Sequence, residues 1–306
     1  MKNMIETFSA LGARLLGFGD DDATRAVIAC DMLQREKLEA WLADYPALPV
    51  AEPRRVLVVM AGNIPLVGFF DLLCVLVSGH GCLVKPSAKD SVLMEHVVGL
   101  LREIDPSAPV RLYDGTSPVD AVIATGSDNA NRYFRAHYAG IPSLLRGSRQ
   151  SVAVLSGRET PEQLAGLADD IWAYSGLGCR SVSLIFAPEG YEPALQIPPV
   201  NDKYINNYRQ QRALLEMQGR PFVDLGCAVA VEQCAFPAAL SRIAYAHYAT
   251  LDEVVAWLAG HDGELQCVVT GCLPHSRRAG FGCAQSPALT DYPDDRDVLA
   301  WLAALD

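Results

Sequence analysis

The chain has 306 residues, with 25 Lys and Arg against 36 Asp and Glu for a net charge of −11, and half of its residues are hydrophobic. That is enough apolar material for two modest domains or one large α/β unit, and it excludes disordered, collagen-like and small disulfide-scaffolded chains. The acidic balance argues against nucleic acid or an anionic membrane as the main partner, because both are held through Lys and Arg.

The nine cysteines, at 30, 74, 82, 179, 227, 234, 267, 272 and 283, form no C-x-x-C pair and mostly sit in apolar runs. Structural zinc needs paired ligands at short spacing, so free thiols and no metal are expected; Cys267, Cys272, His275 and Cys283 come nearest to a ligand set. Residues 1–20 carry scattered charge and no long apolar core, which does not fit a signal peptide. The longest apolar stretch, 65–78, is broken by Gly68 and Asp71 and is too short to span a bilayer. These features predict a soluble cytoplasmic protein.

Residues 1–45 read as helices, with Ile5, Phe8, Leu11 and Leu15 at helical spacing and Val27, Ile28, Met32, Leu33 and Leu38 repeating it. Three prolines make 45–53 a linker. The period then changes to strands: 56–60 is a β run, and Pro65 is suited to the first position of a helix reaching Ser78. A second strand covers 82–85, a helix capped by Asp90 or Ser91 follows, and strands come at 110–113 and 121–124. A helix over 128–139, a strand at 152–155, a helix from Thr160-Pro161 to about Tyr174 and a strand at 182–187 continue the alternation. Beyond Tyr191 a polar helix is expected over 203–217, with strands or buried segments at 222–231, 243–249 and 266–270. Strands alternating with helices at this spacing predict parallel crossovers and a doubly wound sheet, with ligands beyond the carboxyl ends of strands. The loops of interest are therefore 61–65, 85–90, 125–128 and 175–181.

No G-x-G-x-x-G is present; Gly17-Phe18-Gly19 lacks the third glycine and follows no strand. Thr125-Gly126-Ser127 does follow a strand and open a helix, where backbone N–H groups and the helix dipole favour an anion, although an ordinary strand–helix turn has the same look. Lys85, followed by Pro86-Ser87, ends a strand and can reach a ribose or phosphate, or simply be solvated. Asn63, in Asn63-Ile64-Pro65, suits either a helix cap or a donor to an oxyanion. In Tyr174-Ser175-Gly176-Leu177-Gly178-Cys179-Arg180, two glycines permit a sharp turn before Cys179 and Arg180 favours a thiolate, which makes Cys179 the cysteine placed as a nucleophile.

In this order the four loops resemble the aldehyde dehydrogenase superfamily, through its asparagine–proline turn, lysine-proline-serine strand end, T-G-S helix start and G-x-x-C nucleophile loop. The segments GNIPLVGFFDLLCVLVSGHGCLVKPSAKD, AVIATGSDNANRYF, SVAVLSG, YSGLGCRSVS and GFGCAQSPAL are most similar to the fatty acyl-CoA reductase branch, the LuxC-like type of bacterial luminescence systems. The resemblance runs from about Val56 to Leu299. It implies an α/β fold with a doubly wound cofactor domain, here expected over 1–156 with N-terminal helices and a shortened N-terminus. An α/β catalytic domain carrying the cysteine is expected over 157–306.

The resemblance further implies catalysis by Cys179 and Asn63, a cofactor held by Lys85, Ser87, Lys89 and Thr125-Gly126-Ser127, and a nicotinamide-ribose contact near Asp224. Aldehyde-oxidising members carry a water-activating glutamate in an E-L-G-G motif, whereas this chain reads Leu144-Leu145-Arg146-Gly147-Ser148 there, with no carboxylate. An acyl enzyme should therefore await hydride or a thiol rather than water. Many NAD-preferring members have an acid three residues after the lysine; Ala88 and Lys89 here imply NADPH in preference to NADH. The implied activity is reduction of an acyl thioester, acyl-CoA or acyl carrier, to an aldehyde. A non-redox acyltransferase or thioesterase, and a non-catalytic subunit scaffolding an acyl-activating partner, are the competing readings. The subunit count stays open, a dimer included.

Overall fold

The structure, a computed structural model, describes residues 2–15 and 32–305. Val27, Ile28, Cys30 and the Gly17-Phe18-Gly19 segment lie outside the described residues. Two compact units are present, Met1–Ser148 with Ala288–Asp306, and Arg149–Pro287.

The first unit holds helices α1 (Lys2–Leu15) and α2 (Arg35–Ala43) and then a β/α alternation: β1 (Arg55–Val59), α3 (Phe69–Val77), β2 (Gly81–Lys85), α4 (Ser91–Ile104), β3 (Val110–Leu112), β4 (Ala121–Thr125), α5 (Asp128–His137) and β5 (Ser143–Arg146). The strands form one parallel sheet in the order β3-β2-β1-β4-β5. Four consecutive residues of β1 are buried because both faces of the sheet are covered. Val56 and Val58 join the core formed with α1 to α4, while Leu57 and Val59 pack with Phe134 and Tyr138 on the α5 side. Crossovers thus leave β1 and β4 toward opposite faces, and their carboxyl ends flank the crevice where open α/β sheets receive ligands.

Two local expectations change. The helix expected from Pro65 starts at Phe69, because Leu66 adopts φ 52° and its N–H is bound by the Asp90 carboxylate at 3.0 Å, holding 64–68 in turns. Strand β5 has no counterpart among the expected elements; it is only four residues long and pairs with β4 alone. The chain then returns in α9 (Val298–Ala303), whose Val298, Leu299 and Leu302 are buried in the first core, with the Leu302 carbonyl 3.0 Å from His80 Nε2. This segment belongs to the first unit, although the expected division placed it in the second.

The second unit begins at Arg149 and not at 157, since β6 (Gln150–Val154) lies hydrogen-bonded between two strands of the second sheet. Its other elements are α6 (Pro161–Trp172), β7 (Val182–Pro188), α7 (Asp202–Met217), β8 (Val223–Asp224), β9 (Val229–Glu232), β10 (Arg242–Tyr248), α8 (Leu251–Gly260), β11 (Leu265–Thr270) and β12 (Arg278–Ala279). The order is β12-β11-β6-β7-β10-β9-β8, parallel except for β8 against β9. A full capping box at Thr160 and Gln163, with Pro161 at the first position, starts α6 where the sequence places it. Leu167 and Ile171 of α6 pack on one face with Ala153 and Ile185, and Val254 and Leu258 of α8 on the other with Val152 and Leu184.

Candidate active site

At the carboxyl edge of the first sheet, β2, β1 and β4 are neighbours, with Val59 in register with both Lys85 and Ala124. Adjacent strand ends therefore bring three of the expected loops together. Gly62 and Ser87 are so close that a β-carbon on Gly62 would lie 2.4 Å from Ser87 Oγ, and 3.5 Å from the Lys89 β-carbon. Only glycine fits there. Asp90 Oδ2, accepting from Leu66 N–H, ties the 85–90 loop to the 61–66 loop, and burial raises this acid above the usual carboxylate range. The exposed Asn63 projects from the loop so fixed. Lys85 and Lys89 are both exposed, and Ser87 Oγ accepts from Lys89 N–H at 3.4 Å.

The Thr125-Gly126-Ser127 turn enters α5 as expected, but its polar groups are partly committed. Gly126 N–H donates to the Arg146 carbonyl at 3.1 Å and Ser127 Oγ accepts from Ala130 N–H at 3.3 Å as the helix cap. The Asp128 carboxylate also sits in the first helical turn, accepting from Ser148 N–H. Gly126 is required for packing, since a β-carbon would meet Ala130 at 2.9 Å. On β5, Arg146 is buried and its Nη1 donates to both carboxylate oxygens of Asp71 at 2.7 and 2.8 Å. The Asp71 carboxylate is thus buried and bound to a guanidinium, and the Asp128 carboxylate is engaged by a backbone N–H.

In the second unit, Cys179 is exposed in the loop that enters β7. It lies at the amino edge of the sheet, not at a carboxyl end where the ligand rule for such sheets looks first. The loop begins with three successive left-handed residues, Tyr174 (φ 53°), Ser175 (φ 52°) and Gly176 (φ 64°). Two of these are not glycine, so the turn stores strain that its surroundings must hold. Ser175 Oγ accepts from Asn201 N–H at 3.2 Å, Ser181 N–H closes a turn on the Gly178 carbonyl at 3.0 Å, and Ser151 Oγ donates to the Cys179 carbonyl at 2.8 Å.

Exposure alone does not single out Cys179, because Cys234 and Cys283 are exposed too. Cys74, Cys82, Cys227 and Cys267 are buried, and burial pushes the Cys74 and Cys82 thiols up strongly and that of Cys227 to about 11. Among the described residues no three His, Cys, Asp or Glu side chains gather as metal ligands. Asp224 lies on β8, three strands from β7 or about 14 Å across the sheet. Its carboxylate accepts from Tyr208 Oη at 2.7 Å and Gly226 N–H at 2.8 Å and pairs with Arg212, and these bonds hold it below the usual range. A cavity of about 460 Å³ opens beyond the carboxyl ends of β6, β10 and β11, lined in part by Ser156, Tyr248, Cys272 and Phe281, on the edge opposite Cys179.

Sequence reasoning missed Ser151 and Asp170, and it read Asp90 only as a helix cap, whereas the Asp90 carboxylate makes no cap bond and accepts from Leu66 N–H. Each is a polar residue inside an apolar run or a loop, and its role depends on a partner 24 or more positions away.

Solved aldehyde dehydrogenases share this fold. An indole-3-acetaldehyde dehydrogenase of P. syringae, solved with NAD+, covers 90% of this chain and 72% of its own with a TM-score of 0.62 at 15% identity. An aldehyde dehydrogenase of Mycobacterium tuberculosis, also solved with NAD+, covers 82% and 66% with a TM-score of 0.57 at 17% identity. Among curated relatives, the long-chain acyl-protein thioester reductase of Vibrio harveyi is 28% identical over 174 residues, half of this chain and 36% of the relative. Long-chain acyl-protein thioester reductase 2 of Photobacterium leiognathi is 24% identical over 179 residues, 52% and 37%. The chain thus spans little more than a third of the length of these relatives. The pattern of the acyl-CoA reductase (LuxC) family matches residues 13–196, well over half of the chain and inclusive of the Cys179 loop, so this protein belongs to the LuxC acyl-CoA reductase family.

Proposed function

We propose that the protein reduces an acyl thioester to an aldehyde through an acyl group carried on Cys179, with NADPH as the preferred reductant. The observation that carries this reading is an exposed cysteine in a strained glycine turn inside the residues that match the family.

The Cys179 thiolate attacks the thioester carbonyl, forming a carbon–sulfur bond and a tetrahedral oxyanion, for which the family resemblance implies the Asn63 side-chain N–H and the Cys179 backbone N–H as donors. The oxyanion collapses, the bond to the departing thiol breaks, and that thiol leaves with a proton from solvent. Residues 143–150 offer no carboxylate to activate water, and Asp71 is sequestered by Arg146, so the thioacyl enzyme is spared hydrolysis. A nicotinamide cofactor, when bound, supplies the hydride. As the aldehyde carbonyl re-forms, Cys179 sulfur departs as thiolate and is ready for a second thioester.

The crevice between β1 and β4 suits such a cofactor, since small residues at Gly62 and Gly126 bring backbone close and Lys85 and Lys89 leave two ammonium groups at its edge. Ala88 removes the acid that would repel a 2′-phosphate, and Lys89 supplies a cation that would pair with it.

Intact-mass measurement after incubation with a panel of acyl-CoAs and acyl-carrier thioesters tests the reading. A gain of one acyl group, absent in Cys179→Ala and discharged by NADPH with release of aldehyde, is the expected result. An adduct that persists in Cys179→Ala, or no adduct from either donor class, would overturn it.

A further inference from the structure

The Cys179 loop is gripped from two sides, and one grip has no part in the chemistry above. Opposite Ser151, Gln285 Nε2 donates to Ser181 Oγ across a long 3.4 Å bond, and its Oε1 lies 3.6 Å from where a β-carbon on Gly178 would sit. Gln285 therefore bonds one end of the 178–181 turn and lies close beside the other.

Gln285 is itself fixed by α6. Asp170, 1% exposed on that helix, accepts from Gly282 N–H at 2.7 Å and from Ala284 N–H at 2.9 Å. One turn earlier, Gly166 lets the loop backbone lie directly on the helix, since a β-carbon there would come within 2.8 Å of Gly282 N. Gly282 takes φ 78°, a conformation that favours glycine. Two backbone donors on one carboxylate fix a loop far more closely than apolar contact does. Ala284 is fully buried, so the direction in which the next residue, Gln285, leaves the backbone is set. Burial raises Asp170 to about 6, which leaves it the ionised acceptor at neutral pH.

We propose that Gln285 is a positioning residue for Cys179 and that Asp170, acting through the 280–287 segment, is the clamp that sets it. This rests on Cys179 being the nucleophile. The left-handed turn at 174–176 persists only where its surroundings over-determine it, and the Gln285 contact supplies that constraint on the exit side of the turn.

Amide hydrogen exchange and iodoacetamide alkylation of the full chain, read by peptide mapping to separate Cys179 from Cys234 and Cys283, provide the test. Gln285→Ala should speed exchange across 177–182 by about fivefold while 280–287 stays protected; Asp170→Asn should speed both segments. Gln285→Glu can still bond Ser181, as acceptor of its hydroxyl proton, but places a negative charge against the turn that carries Cys179. It should slow Cys179 alkylation at pH 7 by roughly threefold or more and move its pH profile upward. If Asp170→Asn fails to fold, the two Gln285 variants decide the matter. Unchanged exchange over 177–182 in Gln285→Ala, an unmoved pH profile in Gln285→Glu, or equal loosening of β10 would each overturn the proposal. Neither readout uses an acyl substrate, so failure to form an acyl adduct would count against the proposed function and not against this one.

Discussion

Lys89 and Lys85 differ in what holds them. Lys85 is the last residue of a strand with neighbours on both sides, whereas Lys89 is set by the Ser87 hydroxyl and by the Asp90 tie that follows it. If Lys89 pairs with a 2′-phosphate, Lys89→Ala should weaken NADPH binding about fivefold and leave NADH binding unchanged, as titrated by fluorescence, with the difference shrinking at high salt. Equal loss for both cofactors would place Lys89 elsewhere in the site. At this scale the sequence was legible where chemistry follows from residue type: the glycines, lysines and thiol were all visible in it. Which thiol is reactive was less so, since Cys234 and Cys283 are exposed like Cys179, and the left-handed turn at 174–176 is legible only in the fold.

Helix α6 illustrates how an element carries function away from its ends. Its start is written in Thr160-Pro161 and Gln163, while its last turns carry Asp170 and lead directly into the strained turn before Cys179. Asp170 gives the element a pH signature. Unfolded, this acid ionises near 3.8, and folded it ionises near about 6. Between those values the folded chain keeps a proton that the unfolded chain has lost, so stability falls as pH rises through that window, on the order of 3 kcal/mol in all. Urea unfolding of wild type and Asp170→Asn across pH 4 to 7 should show this decline in the wild type and its absence in the variant. Parallel curves would mean that Asp170 titrates near its ordinary value. The start of α3 shows the opposite case, because Pro65 read as a first helical residue until Asp90 captured the Leu66 N–H.

At the scale of the whole molecule, each unit is a mainly parallel sheet covered on both faces, fully parallel in the first and with β8 antiparallel in the second, and residues 288–305 pack back into the first. The buried Arg146–Asp71 pair links β5 to α3 in that first unit, with Arg146 Nε and Nη2 finding no acceptor among the described residues. Removing either partner should cost about 3–5 kcal/mol, because it strands a charge in the core. Replacing both together, as Asp71→Leu with Arg146→Met, should recover most of that loss in urea midpoint. Single variants near wild-type stability would show that water reaches the pair.

The sequence by itself determined the alternation of strands and helices, the doubly wound class, the loops at strand ends and the family. All of these rest on local periodicity, turn chemistry and short motifs that hold wherever the chain goes. Tertiary structure decided what depends on pairs distant in sequence. It placed β6 in the second sheet, because strand partners are chosen by hydrogen bonding and not by order in the chain. It returned α9 to the first unit, because an apolar six-residue helix must bury its face where a matching surface exists. It put Asp90, Ser151 and Asp170 to work, because a buried polar side chain takes its meaning from the backbone donor or acceptor it meets.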